Sequence, residues 1–172
     1  MKVIFFGTPD FAVPFLYKLI NSDEIKMVGV VCQKDKPVGR KSVITPPATK
    51  TLAIKHNIPV YQFNSLKKDD VKNTLSEINA DMYIVVAYGK IIPQSILDIP
   101  KFGSINVHPS LLPKYRGPSP MQEAILNGDK QTGVSIMLLD SGMDTGPILE
   151  QISIDLDSND TYITLEKKVH AV

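Results

Sequence analysis

The stretch from Met1 to Cys32 constrains this chain more than any other. Lys2 to Phe6 is a short β-rich run that stops at Gly7, the pattern of a strand buried on both faces entering a turn. Thr8-Pro9-Asp10 follows and offers N-cap chemistry to a helix carrying Phe11, Phe15, Leu16 and Leu19 at helical spacing. Pro14 has no amide hydrogen and is tolerated only in a first turn, so the regular helix begins near Val13. Met27 to Cys32 is a second β-rich run. Strand, helix and strand at this spacing make a βαβ unit, which implies a parallel sheet with right-handed crossovers.

The remainder extends that plan. Gln33 to Pro47 is polar, basic and punctuated by Pro and Gly, too long and irregular for a mere connector. Ala48 to His56 is helical in pattern, Ile58 to Tyr61 a short edge-like strand, and Asp69 to Ile78 a polar helix. Met82 to Ala87 is the clearest buried strand and ends at Tyr88-Gly89-Lys90. Ser104 to Val107 is the next strand and runs into His108-Pro109; Pro109, Pro113, Pro118 and Pro120 then prevent regular pairing until a helix at Met121 to Leu126. Val134 to Leu139 and Ile148 to Ile154 read as strands joined by the Gly-rich segment Asp140 to Pro147. From Thr161 the chain is amphipathic, with Leu165, Val169 and Val172 on one face. The fold class is therefore α/β and Rossmann-like, a mostly parallel twisted sheet of about seven strands flanked by helices. No capping glycine or turn signal follows Val172, which predicts a chain truncated within its last helix.

With 172 residues the chain is one domain with a substantial core. Lys and Arg number 19 against 18 Asp and Glu, which excludes a chain-wide polyelectrolyte field. One cysteine excludes an intramolecular disulfide and a multi-cysteine metal cluster, and it suits a reducing compartment. No apolar run approaches the roughly 18 residues that span a bilayer, and the N-terminal run meets Thr8-Pro9-Asp10 too early for a signal peptide. The expected location is the cytoplasm, without a membrane partner. Within the near-neutral total, Lys34 to Lys55 holds six cations against Asp35 alone. Val134 to Asp160 holds no Lys or Arg, but it does hold Asp140, Asp144, Glu150, Asp155, Asp157 and Asp160. Either these are two solvated loops, or an anionic partner sits at one and different chemistry at the other.

The first turn stands where a dinucleotide-binding fold carries its glycines. Here Pro9 and Asp10 replace them, and a carboxylate repels a pyrophosphate, so NAD and FAD are disfavoured. Asp10 is either a helix cap or a carboxylate facing a ligand. Asn106 and His108, two apart on a strand, point to one side. An amide donor and an imidazole can work together on one reacting carbonyl; the alternative is a structural hydrogen bond. Asp144 lies in a Gly-flanked turn whose backbone can approach a neighbouring strand end and bring the carboxylate to the imidazole. Asn, His and Asp without a Ser or Cys nucleophile point to acyl transfer by direct attack. Ser110 lacks the glycines of a nucleophile elbow and reads as a turn residue. Cys32 reads as core, and His56 and His170 as surface or packing residues.

Asn106, His108 and Asp144, with Ser110-Leu111-Leu112-Pro113-Lys114-Tyr115-Arg116-Gly117 between them, resemble the signature of the folate-dependent formyltransferases. The resemblance runs the length of the chain. Three features are most similar to the members acting on methionyl-tRNA: Phe6-Gly7-Thr8-Pro9-Asp10-Phe11-Ala12, the basic Lys34 to Arg40 stretch ending in Thr45-Pro46-Pro47, and Ala87-Tyr88-Gly89-Lys90-Ile91-Ile92-Pro93. The resemblance implies a formyltransferase fold and transfer of a formyl group from 10-formyltetrahydrofolate to the α-amine of methionine on initiator methionyl-tRNA. It implies direct amine attack through a tetrahedral intermediate. In it Asn106 donates to the formyl oxygen, His108 stabilises that oxygen and exchanges protons, and Asp144 holds His108. It assigns Tyr88, Gly89, Ile91, Ile92, Ser110, Leu111, Leu112, Pro113 and Gly142 to the folate, and Thr8, Asp10, Phe11, Arg40 and Lys41 to the acceptor and tRNA. A monomer without metal is expected, lacking the family's C-terminal tRNA-binding β-barrel.

Two rival readings remain. One keeps the chemistry with glycinamide ribonucleotide or an amino sugar as acceptor, but the first turn lacks the phosphate-binding loop that would favour the ribonucleotide, and the basic insertion is not expected of a sugar-nucleotide enzyme. The other, a folate- or RNA-binding module without catalysis, leaves the intact Asn106, His108 and Asp144 set unexplained.

Overall fold

In the computed structural model, which describes residues 1–172, Val3, Ile4, Phe5 and Phe6 are wholly buried. Burial on both faces needs a strand with neighbours on both sides. The strand they form, β1 (Lys2–Gly7), pairs in parallel with β2 (Lys26–Val31) on one edge. On its other edge lies the strand Met82–Val86, also parallel. A short 3-10 turn over Asp10–Ala12 leads into helix α1 (Val13–Ile20), with Pro14 in the first turn as its missing amide requires.

The chain divides into two compact units, Met1–Ser104 and Ile105–Val172. The first unit continues through β3 (Lys36–Val38), β4 (Val43–Thr45), α2 (Ala48–Lys55), β5 (Val60–Tyr61) and α3 (Asp69–Glu77). It then adds β6, the Met82–Val86 strand, and α4 (Gln94–Leu97). The second unit holds β7 (Ser104–His108), which starts at the last residue of the first, α5 (Pro120–Leu126), β8 (Gln131–Leu138), β9 (Ile148–Asp155) and α6 (Tyr162–Ala171). Seven strands form one sheet in the order β5-β2-β1-β6-β7-β8-β9, while β3 and β4 form a separate pair. This is the mostly parallel seven-stranded α/β arrangement expected.

In the first unit β5, β2, β1 and β6 run parallel. From β1 the chain builds β2 and β5 on one side and then returns through α3 to place β6 on the other, so strand order switches at β1. Loops at the carboxyl ends of strands flanking such a switch form the ligand crevice of open α/β sheets. Here those loops begin at Thr8 and Ala87. Phe6 packs on Tyr83 at 5.2 Å and edge-on to Tyr88 at 5.5 Å between ring centroids. In the second unit β7, β8 and β9 are antiparallel, with His108 opposite Ser135 and Ser135 opposite Gln151.

Three local features refine the sequence reading. Gln33 to Pro47 is not irregular throughout: β3 and β4 pair as an antiparallel hairpin around Gly39 and Ser42, both at positive φ. The sequence signal is weak because Val38, Val43 and Ile44 are exposed, so no burial periodicity marks the strands. Asp10 makes no cap hydrogen bond and is exposed, since the 3-10 turn precedes the α-helix instead of Asp10 initiating it. Helix α4 has only four residues, too few to show a period.

Gly133, in the middle of β8, is held by close approach. A Cβ there would collide with the Ile152 carbonyl oxygen of β9 and with the Leu111 side chain, and the backbone neighbour cannot swing aside. Gly133→Ala is expected to destabilise the protein by about 1–3 kcal/mol, read as a lowered urea midpoint; an unchanged midpoint would contradict the packing described.

Candidate active site

The carboxyl end of β7 presents the candidate site residues of the second unit. Asn106 and His108 share a strand face, and His108 is buried while Asn106 is half-buried. Every hydrogen-bonding atom of the ring can be accounted for. Nε2 lies 2.9 Å from the Tyr115 carbonyl oxygen. A carbonyl only accepts, so Nε2 carries the hydrogen and donates it. In the neutral ring Nδ1 is then the lone-pair nitrogen. It sits 3.7 Å from Oδ2 of Asp144, beyond direct hydrogen bonding. That oxygen already accepts from the Gly117 amide at 2.8 Å. The fold thus leaves Nδ1 open beside a carboxylate, and a proton arriving there becomes half of an ion pair.

Unusual backbone makes this geometry. Tyr115 and Asp144 adopt the left-handed region at φ 55° and 51°, and Gly117 has φ 100°. Non-glycine residues in that region are costly and are kept where surrounding structure determines them. Asp140 organises the turn that presents Asp144, since its Oδ1 accepts from the Gly142 amide at 2.9 Å and the Thr145 hydroxyl at 2.8 Å. Ser110 is fully buried and donates its hydroxyl to the Lys114 carbonyl at 2.6 Å, as befits a turn residue. Leu112 is buried beside it, Leu111 is half-buried, and Pro113 and Gly142 are exposed.

In the first unit the switch-point loops are tied to one another. Thr8 donates its hydroxyl to the Tyr88 carbonyl at 2.9 Å. The Gln33 carboxamide donates to the Tyr88 and Gly89 carbonyls at 3.0 and 3.1 Å. Tyr88 is buried, with its hydroxyl pushed up to about 12 by burial, and Gly89 takes φ 80°. Ile91 is 85% exposed, unlike a core residue, and Ile92 is half-buried. Thr8 and Asp10 line a cleft of about 720 Å³ with Lys34, Lys36, Val38 and Lys55. Phe11 is buried and packs on Phe15 at 5.5 Å. Arg40 and Lys41 are exposed on the hairpin turn. Asp35 anchors the base of the hairpin through Lys50 at 2.8 Å, and this hydrogen bond, with a second from Gln62, holds its carboxyl below the usual range.

The formyl transferase family model matches residues 1–172. The chain belongs to that family. A methionyl-tRNA formyltransferase of Caldicellulosiruptor saccharolyticus is 49% identical over 98% of this chain and 55% of its own length. Another, from Thermodesulfovibrio yellowstonii, is 49% identical over 99% of this chain and 55% of its own length. The chain spans about half the length of these curated relatives. Among solved structures, a phosphoribosylglycinamide formyltransferase from Bacillus halodurans superposes with a TM-score of 0.80 at 26% identity, covering 99% of this chain and 88% of that one. A sugar N-formyltransferase from Shewanella shares the fold, with a TM-score of 0.72 at 21% identity over 99% of this chain and 64% of its own.

Within this formyl transferase chain, the residues that sequence reasoning missed act mainly through backbone. The Tyr115 carbonyl and Gly117 amide hold the imidazole and the carboxylate, and no side-chain type advertises such a role. Asp140 was legible as an Asx turn two residues before Gly142. Gln33 carried no signal. No group of three or more His, Cys, Asp or Glu stands close enough to hold a metal ion, and no helix is long and apolar enough to cross a membrane.

Cys32 is fully buried and its thiol is pushed up to about 11 by burial. At pH 8 only ~0.1% is thiolate, the reactive form. Labelling by a thiol reagent at pH 8 is expected to be slow in the folded protein and fast in urea; rapid native labelling would contradict the burial.

Proposed function

We propose that the chain is the catalytic domain of an enzyme that transfers a formyl group from 10-formyltetrahydrofolate to the α-amino group of methionine on initiator methionyl-tRNA. The observation that carries the reaction type is the open Nδ1 of His108, 3.7 Å from Asp144 on the same site as Asn106. The donor set fits a formyl carbonyl: the Asn106 carboxamide is half-buried and uncommitted to the fold, and Nδ1 is free to meet an oxygen or a proton.

The formyl-folate supplies an electrophilic carbonyl carbon and a nitrogen leaving group. A neutral amine forms the new C–N bond, the bond to the folate nitrogen breaks, and the proton lost by the amine balances the one gained by that nitrogen. Asn106 donates to the formyl oxygen as it turns negative, a contact typically worth about 2.7–4 kcal/mol of barrier. His108 takes or gives the proton at Nδ1, with its ring held by the Tyr115 carbonyl. Asp144 balances the charge that a proton on Nδ1 creates, while the Gly117 amide keeps its carboxylate in place.

For the folate, the first unit offers the amide N–H groups of Tyr88 and Gly89, whose carbonyls are taken by Thr8 and Gln33, with Ile91 and Ile92 as apolar contacts. In the second unit, half-buried Leu111 and exposed Pro113 and Gly142 are the members of the assigned set able to touch a ligand, because Ser110 and Leu112 are buried with their polar groups committed to the fold. The acceptor assignment rests on the hairpin. Arg40 and Lys41 stand exposed at its tip above a cleft lined by Thr8, Asp10, Lys34, Lys36 and Lys55, suited to a phosphate backbone. Asn106, His108 and Asp144 come from one chain, so a monomer suffices, and the buried Cys32 suits the cytoplasm.

The test is acceptor competition in the full-length protein, with labelled formyl-folate offered to methionyl initiator tRNA and to glycinamide ribonucleotide. Label is expected on the tRNA; label on the ribonucleotide alone overturns the acceptor, and label on neither overturns the reaction. His108→Ala is expected to lower turnover by ~10²–10⁴-fold while the protein still folds, at a lower melting temperature because the Tyr115 carbonyl loses its donor. Arg40→Ala is expected to weaken tRNA binding and reduce its salt slope by about 1, leaving the KM for the folate unchanged. Equal losses for both substrates would reject the hairpin's role.

A further inference from the structure

His108 on β7, Ser135 on β8 and Gln151 on β9 stand in register across three adjacent strands. Side chains in register share a sheet face, and the two residues beyond His108 form a closed hydrogen-bond circuit. Ser135 is fully buried, and its Oγ has three partners. It accepts from the Leu112 amide at 3.0 Å and from Gln151 Nε2 at 2.9 Å, so its own hydrogen goes to the Ser110 carbonyl at 2.6 Å. A hydroxyl has one hydrogen and two lone pairs, and all are used. Gln151 Nε2 spends its other hydrogen on the Leu112 carbonyl at 3.0 Å. The Ser110 hydroxyl donates to the Lys114 carbonyl at 2.6 Å.

The segment Ser110 to Lys114 is thus held at the Ser110, Leu112 and Lys114 carbonyls and at the Leu112 amide. The next residue, Tyr115, supplies the carbonyl that takes Nε2–H of His108, and Gly117 supplies the amide that holds Asp144. We infer that Ser135 and Gln151 are positioning residues, which act through the Ser110–Gly117 segment to fix the ring of His108 with Nε2 protonated and Nδ1 open. The inference rests on the formyl-transfer reading for its catalytic consequence, though not for the state of the ring. Gln151 is the more telling member. Its strand runs along the sheet edge, with Ile148, Leu149, Glu150 and Gln151 all exposed, yet its carboxamide reaches inward to two partners. A residue that served only solubility there would face water.

Gln151→Glu is the sharpest variant, because it keeps the shape while a carboxylate donates to neither Ser135 nor Leu112. Ser135→Ala is the companion, with Gln151→Glu remaining informative if the buried substitution prevents folding. The readouts in the full-length protein are the ring-nitrogen NMR shifts of His108, kcat and KM for formyl transfer, and the thermal midpoint. The wild type is expected to show Nε2–H alone in the neutral ring. Gln151→Glu is expected to give a mixture of tautomers and a kcat lowered about tenfold, with the KM for the folate within twofold of wild type. Wild-type ring shifts and kcat in Gln151→Glu, with or without a lower midpoint, would overturn the inference and leave the circuit merely structural. If the wild type transfers no formyl group, the proposed function fails, and the ring shifts still decide the positioning claim.

Discussion

One hydrogen bond governs the geometry of the candidate site: the donation from His108 Nε2 to the Tyr115 carbonyl at 2.9 Å. An imidazole that spends its hydrogen on a fixed backbone acceptor has one nitrogen left, and its protonation state becomes the variable. Placing Asp144 at 3.7 Å, beyond a direct bond, keeps that nitrogen accessible while the carboxylate still supplies charge. A shorter contact would tie up Nδ1; a much longer one would leave an arriving proton unbalanced. The left-handed backbone at Tyr115 and Asp144 follows from this requirement, since each must turn a specific group inward against its local preference.

That hydrogen bond in turn needs a rigid frame, and the sheet supplies it in two styles. The first unit packs Val3 to Phe6 between parallel neighbours, so its loops emerge together at one end of the strands. Thr8 and Gln33 then lace those loops through the Tyr88 and Gly89 carbonyls. The second unit uses antiparallel pairs, whose register sets His108, Ser135 and Gln151 side by side. Parallel strands gather loops, whereas antiparallel strands align side chains laterally. The candidate site draws on the lateral alignment for its ring geometry.

Much of this was readable beforehand, for identifiable reasons. β1, β2 and β6 announce themselves because burial on both faces demands continuous apolar runs, and Pro14 fixes where α1 can begin. Asn106 and His108 were placed by the two-residue period of a strand alone, and Asp144 by its glycine-flanked turn. The hairpin of β3 and β4 escaped because its residues are exposed and follow no burial rhythm. Tyr115 and Gly117 escaped for another reason: they contribute a carbonyl and an amide that every residue possesses. Of the two readings left open for Asp10, the helix cap falls away because a 3-10 turn satisfies the entry to α1 before the α-helix starts.

The charge split resolves unevenly between the two alternatives that composition left open. The acidic run is not a uniform solvated face. Asp140 builds a turn, Asp144 faces His108, and Asp157 and Asp160 both grip Lys168, with the Asp160 carboxyl drawn down to about 2 chiefly by that lysine and Thr164. Only Asp157 and Asp160 are met by a cation, Lys168, while Asp140 and Asp155 accept from neutral donors and Glu150 is exposed. The basic stretch behaves differently. Lys50 is taken by Asp35 and Gln62 at the base of the hairpin, which stiffens it, while Arg40 and Lys41 at the tip stay exposed. A stiff stem with unspent cations at its end would lose little conformational freedom on meeting phosphates, which is what the proposed acceptor reading needs.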